Sequence, residues 1–541
     1  MDEIIKNFDI LNKLDCEKEY GNIEYKRELL NLDQDKINKR MTQMKYRIYE
    51  GLGEALYFIG VADDGTLLGL NNEEYIESVK NLILIASNID CNVIKISESN
   101  KKNFYIGEFL IRENDKNNYL DIKIGVAGNV DSGKSTTIGT LTKGILDDGR
   151  GKARVHVFNY KHEIVTGRTS SIGHQIMGYD NNGNIINSNK NNSWADIASQ
   201  AVKLISFYDL AGHEKYLRTT IYGLTSIYPD YCLIMIGANM GINHMTREHI
   251  GLCINLKIPF IILVTKIDIV PENVLAETMM KINNMCKNRV RKIPYIIKNT
   301  DDIINVVKNI KSDSIVPIIQ ISNVTNYNLD LVKTFFNLLP IRNDYIQNIN
   351  KPVELLVDNT YSVTGHSTIL SGILRSGTIK INDNLLIGPF SDSSYRQVKV
   401  RSIHINYKDL KEAKAGSFVC ISLKNITRRE IKKGMMLISD DNNLKLAVKN
   451  FIAEVHILHS PTTIKEGYQP FVHIDQVRQS VKMNQIQKID SKEDDKILRT
   501  GDKANVQLEF INRPEYIKVG MRLFFREGKV KASGKIIEIL N

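Results

Sequence analysis

The stretch that most constrains this chain is residues 121–136, DIKIGVAGNVDSGKST. Ile122 to Ala127 form a short apolar run of the kind that makes a buried strand. The run leads directly into Gly128-Asn129-Val130-Asp131-Ser132-Gly133-Lys134-Ser135-Thr136, which satisfies GxxxxGK[ST]. Ile138, Leu141 and Ile145 then recur at helical spacing, so a helix begins where the glycines end. Strand, glycine loop and helix in that order turn backbone N–H groups and a helix N-terminus toward phosphate. Lys134 adds a cation there, and the Ser135 hydroxyl can reach a Mg²⁺ ion.

Four further segments fit a GTPase. Asp209-Leu210-Ala211-Gly212-His213 closes an apolar run at 202–208. Asp209 can hold the Mg²⁺ shell through water, Gly212 lets a backbone N–H approach the γ-phosphate, and His213 can orient the attacking water. Thr265-Lys266-Ile267-Asp268 closes the run FIILV. The Asp268 carboxylate can accept from guanine N1–H and N2–H₂, whereas adenine offers an acceptor at N1. Sites built on such pairing reject the wrong partner by about 10⁴–10⁵-fold, which implies GTP rather than ATP. The Lys266 stem would cover the base, and Ser322-Asn323-Val324, after another apolar run, can give a backbone N–H to guanine O6. Between the phosphate loop and Asp209 a GTPase needs one hydroxyl that ligates Mg²⁺ only while the γ-phosphate is present. Thr169 is our choice, with Ser170 and Ser171 as rivals.

The 541 residues suggest several domains. From 121 to 345, apolar strands expected at 121–127, 202–208, 231–237, 259–264 and 315–321 alternate with helical patterns, the signature of a doubly wound α/β sheet. The Asn-rich run 181–192 reads as a mobile surface insertion. Beyond 350, short alternating runs with frequent turns predict two β-barrels, 350–445 and 446–541. Residues 1–120 open on a polar, charged segment and then read as a small α/β domain. In it two strands over 54–70 are joined at Asp63-Asp64-Gly65, a helix covers 75–89, and two more strands follow. The expected fold is thus an α/β P-loop GTPase domain (121–345) followed by two all-β barrels and preceded by an N-terminal α/β domain (1–120).

Charge is unevenly spread. Residues 1–120 carry 16 Lys+Arg against 22 Asp+Glu, and the rest carry 56 against 40. A basic body suits a phosphate-rich partner such as RNA, and a solvated Lys-rich surface is the plain alternative. No apolar run reaches the ~18–20 residues of a membrane span, and the N-terminus lacks the order of a signal peptide. The expectation is a soluble, cytoplasmic protein. The six cysteines are scattered without a CxxC pair and read as reduced thiols.

A G domain followed by two barrels resembles the translational GTPases related to elongation factor Tu and elongation factor 1-alpha. GNVDSGKST, KHEIVTGRTSSIGHQIMGYD, TKIDIVPEN, ISNVTNYNLDL, DNTYSVTGHSTILSG and RTGDKANVQLEF narrow the resemblance to the eukaryotic GTP-binding protein 1/GTP-binding protein 2 family, from about residue 120 to the C-terminus. The resemblance implies a monomer that hydrolyses GTP with Mg²⁺, engages tRNA, aminoacylated in this reading, and works on the ribosome in rescue or mRNA surveillance. It gives Asp131 the position of an aspartate that faces a structural monovalent cation. A GTP-dependent adaptor of the RNA-decay machinery with little hydrolysis is the alternative, and a regulatory GTPase of a metabolic enzyme is another. Two departures stand out. Thr265 occupies the place of an Asn in most GTPases, although the narrower family also reads TKID. Arg168 stands where elongation factor Tu has an apolar residue screening the catalytic histidine, Val130 being the other half of that screen. Arg478, Arg499, Lys503, Arg522, Arg526 and Lys529 are candidate contacts to tRNA phosphates. His456, His459 and His473 lack metal-ligand spacing and read as core or hydrogen-bonded histidines.

Overall fold

The computed structural model describes all residues except 1–13, 102, 115–118, 159, 167–168, 189–191, 343–344, 362–367, 406–407, 442–443, 490–495, 528–529 and 541. Arg168 and Lys529 therefore lie outside the described residues, as does the side chain of Arg526. The chain divides into two compact units. One comprises Met1–His213, Asp230–Ile250 and Pro259–Arg342, the other Glu214–Pro229, Gly251–Ile258 and Asn343–Asn541.

The first unit begins with a four-stranded sheet built from β1 (Ile23–Lys26), β2 (Glu54–Ile59), β3 (Cys91–Lys101) and β4 (Phe104–Glu113), in the order β1-β2-β4-β3. Helices α1 (Gln34–Glu50) and α2 (Asn72–Ser87) cover one face. Asp33 caps α1 by accepting from Lys36 N, and Asn71 with Glu74 forms a capping box on α2. The period of two in β2 sends Tyr57 and Ile59 to these helices and Leu56 and Phe58 to the opposite core. The sequence reading treated the front segment as merely polar and missed α1, whose buried face is reduced to Met44, Arg47 and Ile48. The second expected strand of 54–70 also falls short. After the turn at Asp63-Asp64, the chain makes only isolated bridges, Val61 to Leu67 and Leu70 to Tyr105.

An eight-stranded sheet follows, with β5 (Leu120–Gly128), β6 (Gly173–Tyr179), β7 (Ile185–Ile186), β8 (Lys203–Asp209), β9 (Tyr231–Gly237), β10 (Phe260–Thr265), β11 (Ile293–Ile296) and β12 (Ile315–Gln320) in the order β11-β12-β10-β9-β5-β8-β6-β7. All pairings are parallel except those of β6. The all-buried strands β8, β9 and β10 are near-continuous apolar runs, as a sheet covered on both faces requires. Helices after the strands include α3 (Lys134–Lys143), α4 (Lys152–Val155), α5 (Lys161–Thr166), α6 (Trp194–Gln200), α7 (Leu217–Ile227), α8 (His244–Asn255), α9 (Glu272–Met285), α10 (Thr300–Asn309) and α11 (Leu329–Leu338). The Asn-rich run does not behave as a mobile insertion where it is described. It closes the β6–β7 hairpin, buries Ile186, and anchors Ser188 through its N–H to the Thr142 carbonyl at 2.9 Å. Its Asn side chains serve the turn while its two isoleucines pair in the sheet.

The N-terminal sheet and this larger sheet share one core, in which Leu56, Phe58 and Leu110 join Ile303, Val307 and Phe336 of α10 and α11. A buried polar cluster reinforces the junction. Glu54 accepts from Arg112 Nε at 2.6 Å and from Lys203 Nζ at 2.8 Å. Lys203 Nζ also donates to the carbonyls of Asn337 and Leu339, both at 2.7 Å, satisfying the C-terminal end of α11.

In the second unit, β13 (Glu354–Tyr361), β14 (Thr368–Ser376), β15 (Thr378–Lys380), β16 (Asn384–Gly388), β17 (Arg396–Ile405), β18 (Lys408–Leu410), β19 (Glu412–Lys414), β20 (Phe418–Lys424) and β21 (Met436–Ile438) make the first barrel region. Its sheet runs β16-β21-β13-β14-β20-β17-β18 and closes where β16 also pairs with β17. The second barrel is a closed ring of β22 (Asn450–His459), β25 (Lys503–Phe510), β24 (Val477–Lys488), β23 (Phe471–Ile474), β26 (Arg522–Glu527) and β27 (Val530–Leu540). Helix α7 belongs to this unit. Tyr222 OH donates to Asp358 Oδ1 at 2.6 Å, and the Arg478 guanidinium lies 3.5 Å from the Tyr222 ring centre. Arg522 donates to the Asn255 carbonyl at 2.5 Å. Arg478 and Arg522, expected as candidate phosphate contacts, are thus engaged inside the fold, whereas Arg499 and Lys503 are exposed. No helix among the described residues is long and apolar enough to cross a membrane.

Candidate functional site

Parallel strands place their carboxyl ends on one edge, and loops leaving that edge form the binding crevice of an open α/β sheet. Four expected segments leave there: the glycine loop after β5, Asp209 at the end of β8, Thr265 at the end of β10 and Ser322 after β12. Register confirms the alignment, with Val126 opposite Asp209 and Val264 opposite Gln320.

The glycine loop and α3 line a cleft together with Thr169, Gly212 and His213. Gly133 precedes α3 without any side-chain cap, which leaves the first-turn N–H groups of the helix to a ligand. Lys134 is buried, and its Nζ donates to the Asn129 carbonyl at 2.7 Å. Burial pushes its pKa down, with Asp209 and Asp131 opposing. A Cβ at Gly212 would stand 2.4 Å from Lys134 Nζ and 2.6 Å from the Gly128 carbonyl, so only glycine lets this backbone approach the loop.

Three oxygens meet on the cleft floor. Ser135 Oγ donates to Asp209 Oδ2 at 2.5 Å, Thr169 Oγ1 reaches the same oxygen at 3.2 Å, and the two hydroxyls are 2.9 Å apart. Asp209 Oδ1 is buried and has no hydrogen-bond partner among the described residues. Burial raises the Asp209 carboxyl, opposed by the Lys134 charge and the two hydroxyls. Strand β6 explains how Thr169 arrives here, because Gly173 pairs with Asp209 and brings the preceding segment alongside. The rivals Ser170 and Ser171 are occupied elsewhere, donating through both N–H and Oγ to Glu163 Oε1.

At the end of β10, Thr265 Oγ1 donates to the Ser132 carbonyl at 2.9 Å. Lys266 follows in a left-handed conformation, and Asp268 is exposed. Asn323 Nδ2 donates to Thr137 Oγ1 on α3 at 2.8 Å, which fixes the 322–324 loop to that helix. The N–H groups of Val324 and Thr325 donate to Ser322 Oγ at 3.2 and 3.1 Å. Val130, Asp131 and Thr136 complete the wall near His213, and Ser132 Oγ donates to the Asn129 carbonyl.

One cleft residue escaped the sequence reading. Arg154, on the short helix α4, lines the cleft beside Lys134 and Thr169. Its signal was the preceding Asp147-Asp148-Gly149-Arg150-Gly151, an acidic, glycine-rich turn able to fix a following basic residue.

Family models and known proteins match most of the chain. The elongation factor Tu GTP binding domain family matches residues 121–348, elongation factor Tu domain 2 matches 367–438, and the elongation factor Tu C-terminal domain matches 445–540. GTP-binding protein 1 of Xenopus laevis is 41% identical over 95% of this chain and 78% of its own length. GTP-binding protein 2 of Homo sapiens is 39% identical over 97% of this chain and 88% of its own length. Among solved structures, translation elongation factor SelB from Methanococcus maripaludis, in complex with the GTP analogue GppNHp, shares the fold with a TM-score of 0.55 at 20% identity. That match covers 78% of this chain and 80% of the SelB chain. The chain belongs to the GTP-binding protein 1/GTP-binding protein 2 family and is a translational GTPase.

Proposed function

We propose that this GTPase works with Mg²⁺, engages tRNA and the ribosome, and acts in rescue of stalled ribosomes or mRNA surveillance, as a cytoplasmic monomer. The reading divides the chain into domains at 1–120, 121–345, 350–445 and 446–541. The observation that carries the chemistry is the meeting of Ser135, Thr169 and Asp209 beside Lys134. A buried carboxylate with one oxygen bonded by two hydroxyls and the other unpartnered fits a hard cation, so Ser135 and Thr169 would hold Mg²⁺, with Asp209 reaching it through water. When bound, that ion neutralises charge on the phosphate oxygens. Asp131, exposed at the cleft wall, would face a monovalent cation.

Water attacks the γ-phosphorus in line with the departing GDP. His213 positions the water, Lys134 and the N–H groups of the glycine loop stabilise the phosphate oxygens, and the Gly212 N–H faces the γ-phosphate. Asp268 pairs with the guanine edge, the Lys266 stem covers the base, and the 322–324 loop supplies an N–H to O6. The basic balance of residues 121–541 and the two barrels support a tRNA partner. Single-turnover hydrolysis with and without purified ribosomes and aminoacyl-tRNA tests the reading. A rise of about 10³-fold or more is expected on ribosomes, and an unchanged rate would contradict the ribosomal role.

A further inference from the structure

We propose that Arg154 is a catalytic residue of the GTPase reaction, its guanidinium contacting the γ-phosphoryl group of bound GTP from within the same chain. Three observations place it there. First, Arg154 lines the cleft with Lys134, Ser135, Thr169, Gly212 and His213, and no carboxylate among the described residues pairs with it. Its charge is therefore available to a ligand.

Second, the backbone that carries Arg154 is fixed to both halves of the site. The buried Asp147 carboxylate accepts from Ala153 N at 2.9 Å, Gly149 N at 3.0 Å and Gly151 N at 3.2 Å. Asp148 Oδ1 accepts from the N–H groups of Arg150 and Lys152. Asp147 N donates in turn to the Asn323 carbonyl at 3.0 Å, tying the segment to the guanine loop. Ala153 is wholly buried against α3, where a Cβ at Gly139 would come within 2.3 Å of the Ala153 carbonyl. A side chain on so anchored a turn costs little reorganisation when it meets charge, the condition for effective electrostatic stabilisation.

Third, Gly151 has φ +99°, and a Cβ there would lie 2.3 Å from Arg154 Nε. The guanidinium therefore packs back over its own turn, in the space a side chain at Gly151 would fill, while Arg154 still lines the cleft.

The chemistry requires such a group. The water oxygen bonds to the γ-phosphorus while the bond from phosphorus to the β–γ bridging oxygen breaks. GDP leaves with that electron pair, and the water proton passes to the phosphate products. Charge spreads over the γ-phosphoryl and bridging oxygens in a loose transition state. Lys134 already donates to the Asn129 carbonyl, so a second, permanently protonated, forked donor adds contacts that a single ammonium does not.

The test uses the full chain in single-turnover GTP hydrolysis without ribosomes, together with formation of the GDP–aluminium fluoride complex. Arg154→Ala and Arg154→Lys should each slow hydrolysis by about 100-fold and abolish the aluminium fluoride complex. Affinity for GDP and for a non-hydrolysable GTP analogue should stay within about threefold, roughly the ordinary scatter of a lost exposed contact. Millimolar guanidinium should partly restore the rate of Arg154→Ala, an effect a purely structural role would not give. Exposed Arg150, changed to Ala, should match the parent. An Arg154→Lys or Arg154→Ala protein that hydrolyses GTP within about twofold of the parent would overturn the assignment. So would a loss of rate matched by an equal loss of affinity for the GTP analogue, because Arg154 would then bind ground state and transition state alike.

Discussion

Thr265 donates its hydroxyl to the Ser132 carbonyl at 2.9 Å, so the end of β10 holds the phosphate loop through a β-branched alcohol. The resemblance puts Thr265 where most GTPases have Asn, and here the tie to the loop is made by a hydroxyl. Thr265→Val keeps the volume and strands a carbonyl on the buried Ser132, at about 1–2 kcal/mol. Fluorescent-nucleotide titration should find GTP bound about tenfold more weakly in Thr265→Val and nearly unchanged in Thr265→Ser. Equal affinities would remove this bond from the account.

Asp268 is exposed at the end of the same strand, free to meet a base. Asp268→Asn replaces an acceptor by an amide that donates, which suits xanthine O2. GTP affinity should fall by about 10³-fold or more and xanthosine triphosphate should become the preferred ligand. Competition between the two nucleotides in one assay reads the switch directly.

Most segments of the candidate site were legible because each is local in sequence. Gly128 to Thr136, Asp209 to His213 and Thr265 to Asp268 each sit at the end of an apolar run, and the β5–β8–β10 edge brings those ends together. Thr169 was less certain because its place depends on β6, whose GHQIMGY sequence carries two glycines and polar residues and does not advertise a strand. Arg154 was harder to read for a similar reason, its signal lying in the turn before it. Nothing within KARV marks an active arginine, and its position comes from Asp147 and Gly151 folding the turn back. Helix α1 hid for another reason, since its buried side includes a charged residue, Arg47, paired with Glu17 and Glu24 at 2.6 Å.

His213 lines the cleft directly after Gly212. His213→Ala should bind GTP as the parent does yet lose the acceleration by ribosomes, about 10³-fold or more in rate. Rapid-quench hydrolysis on programmed ribosomes measures this, and identical stimulated rates would exclude His213 from positioning the water.

Glu54 sits fully inside the fold between Arg112 and Lys203. Burial alone would raise its carboxyl, but the two cations outweigh burial and hold it below the usual carboxylate range. Glu54→Ala leaves two buried cations uncompensated and should destabilise the first unit by about 3–5 kcal/mol, read from urea unfolding. A change under about 0.5 kcal/mol would mean the cluster is solvated in solution.

His249 on α8 is buried, and neither ring nitrogen has a partner among the described residues. Burial, with the Lys134 charge adding to it, lowers its pKa from 6.5 to about 3. The unfolded chain therefore takes up a proton below pH 6.5 that the native chain refuses. Stability is full above pH 6.5 and falls as pH drops through this window toward 3, by about 3–5 kcal/mol in all. Unfolding free energies measured between pH 7 and 4 should show the decline, and His249→Leu should flatten it. An equally steep decline in the variant would assign the acid sensitivity to other groups.

The central claim is that the cleft selects a guanine triphosphate and holds it through Lys134, Ser135, Thr169 and Asp209. Calorimetric titration with GTP and ATP in Mg²⁺ tests this most directly. The account predicts GTP binding at least about 10³-fold tighter than ATP, with the difference lost in Asp268→Ala. Equal affinity for the two nucleotides would contradict it.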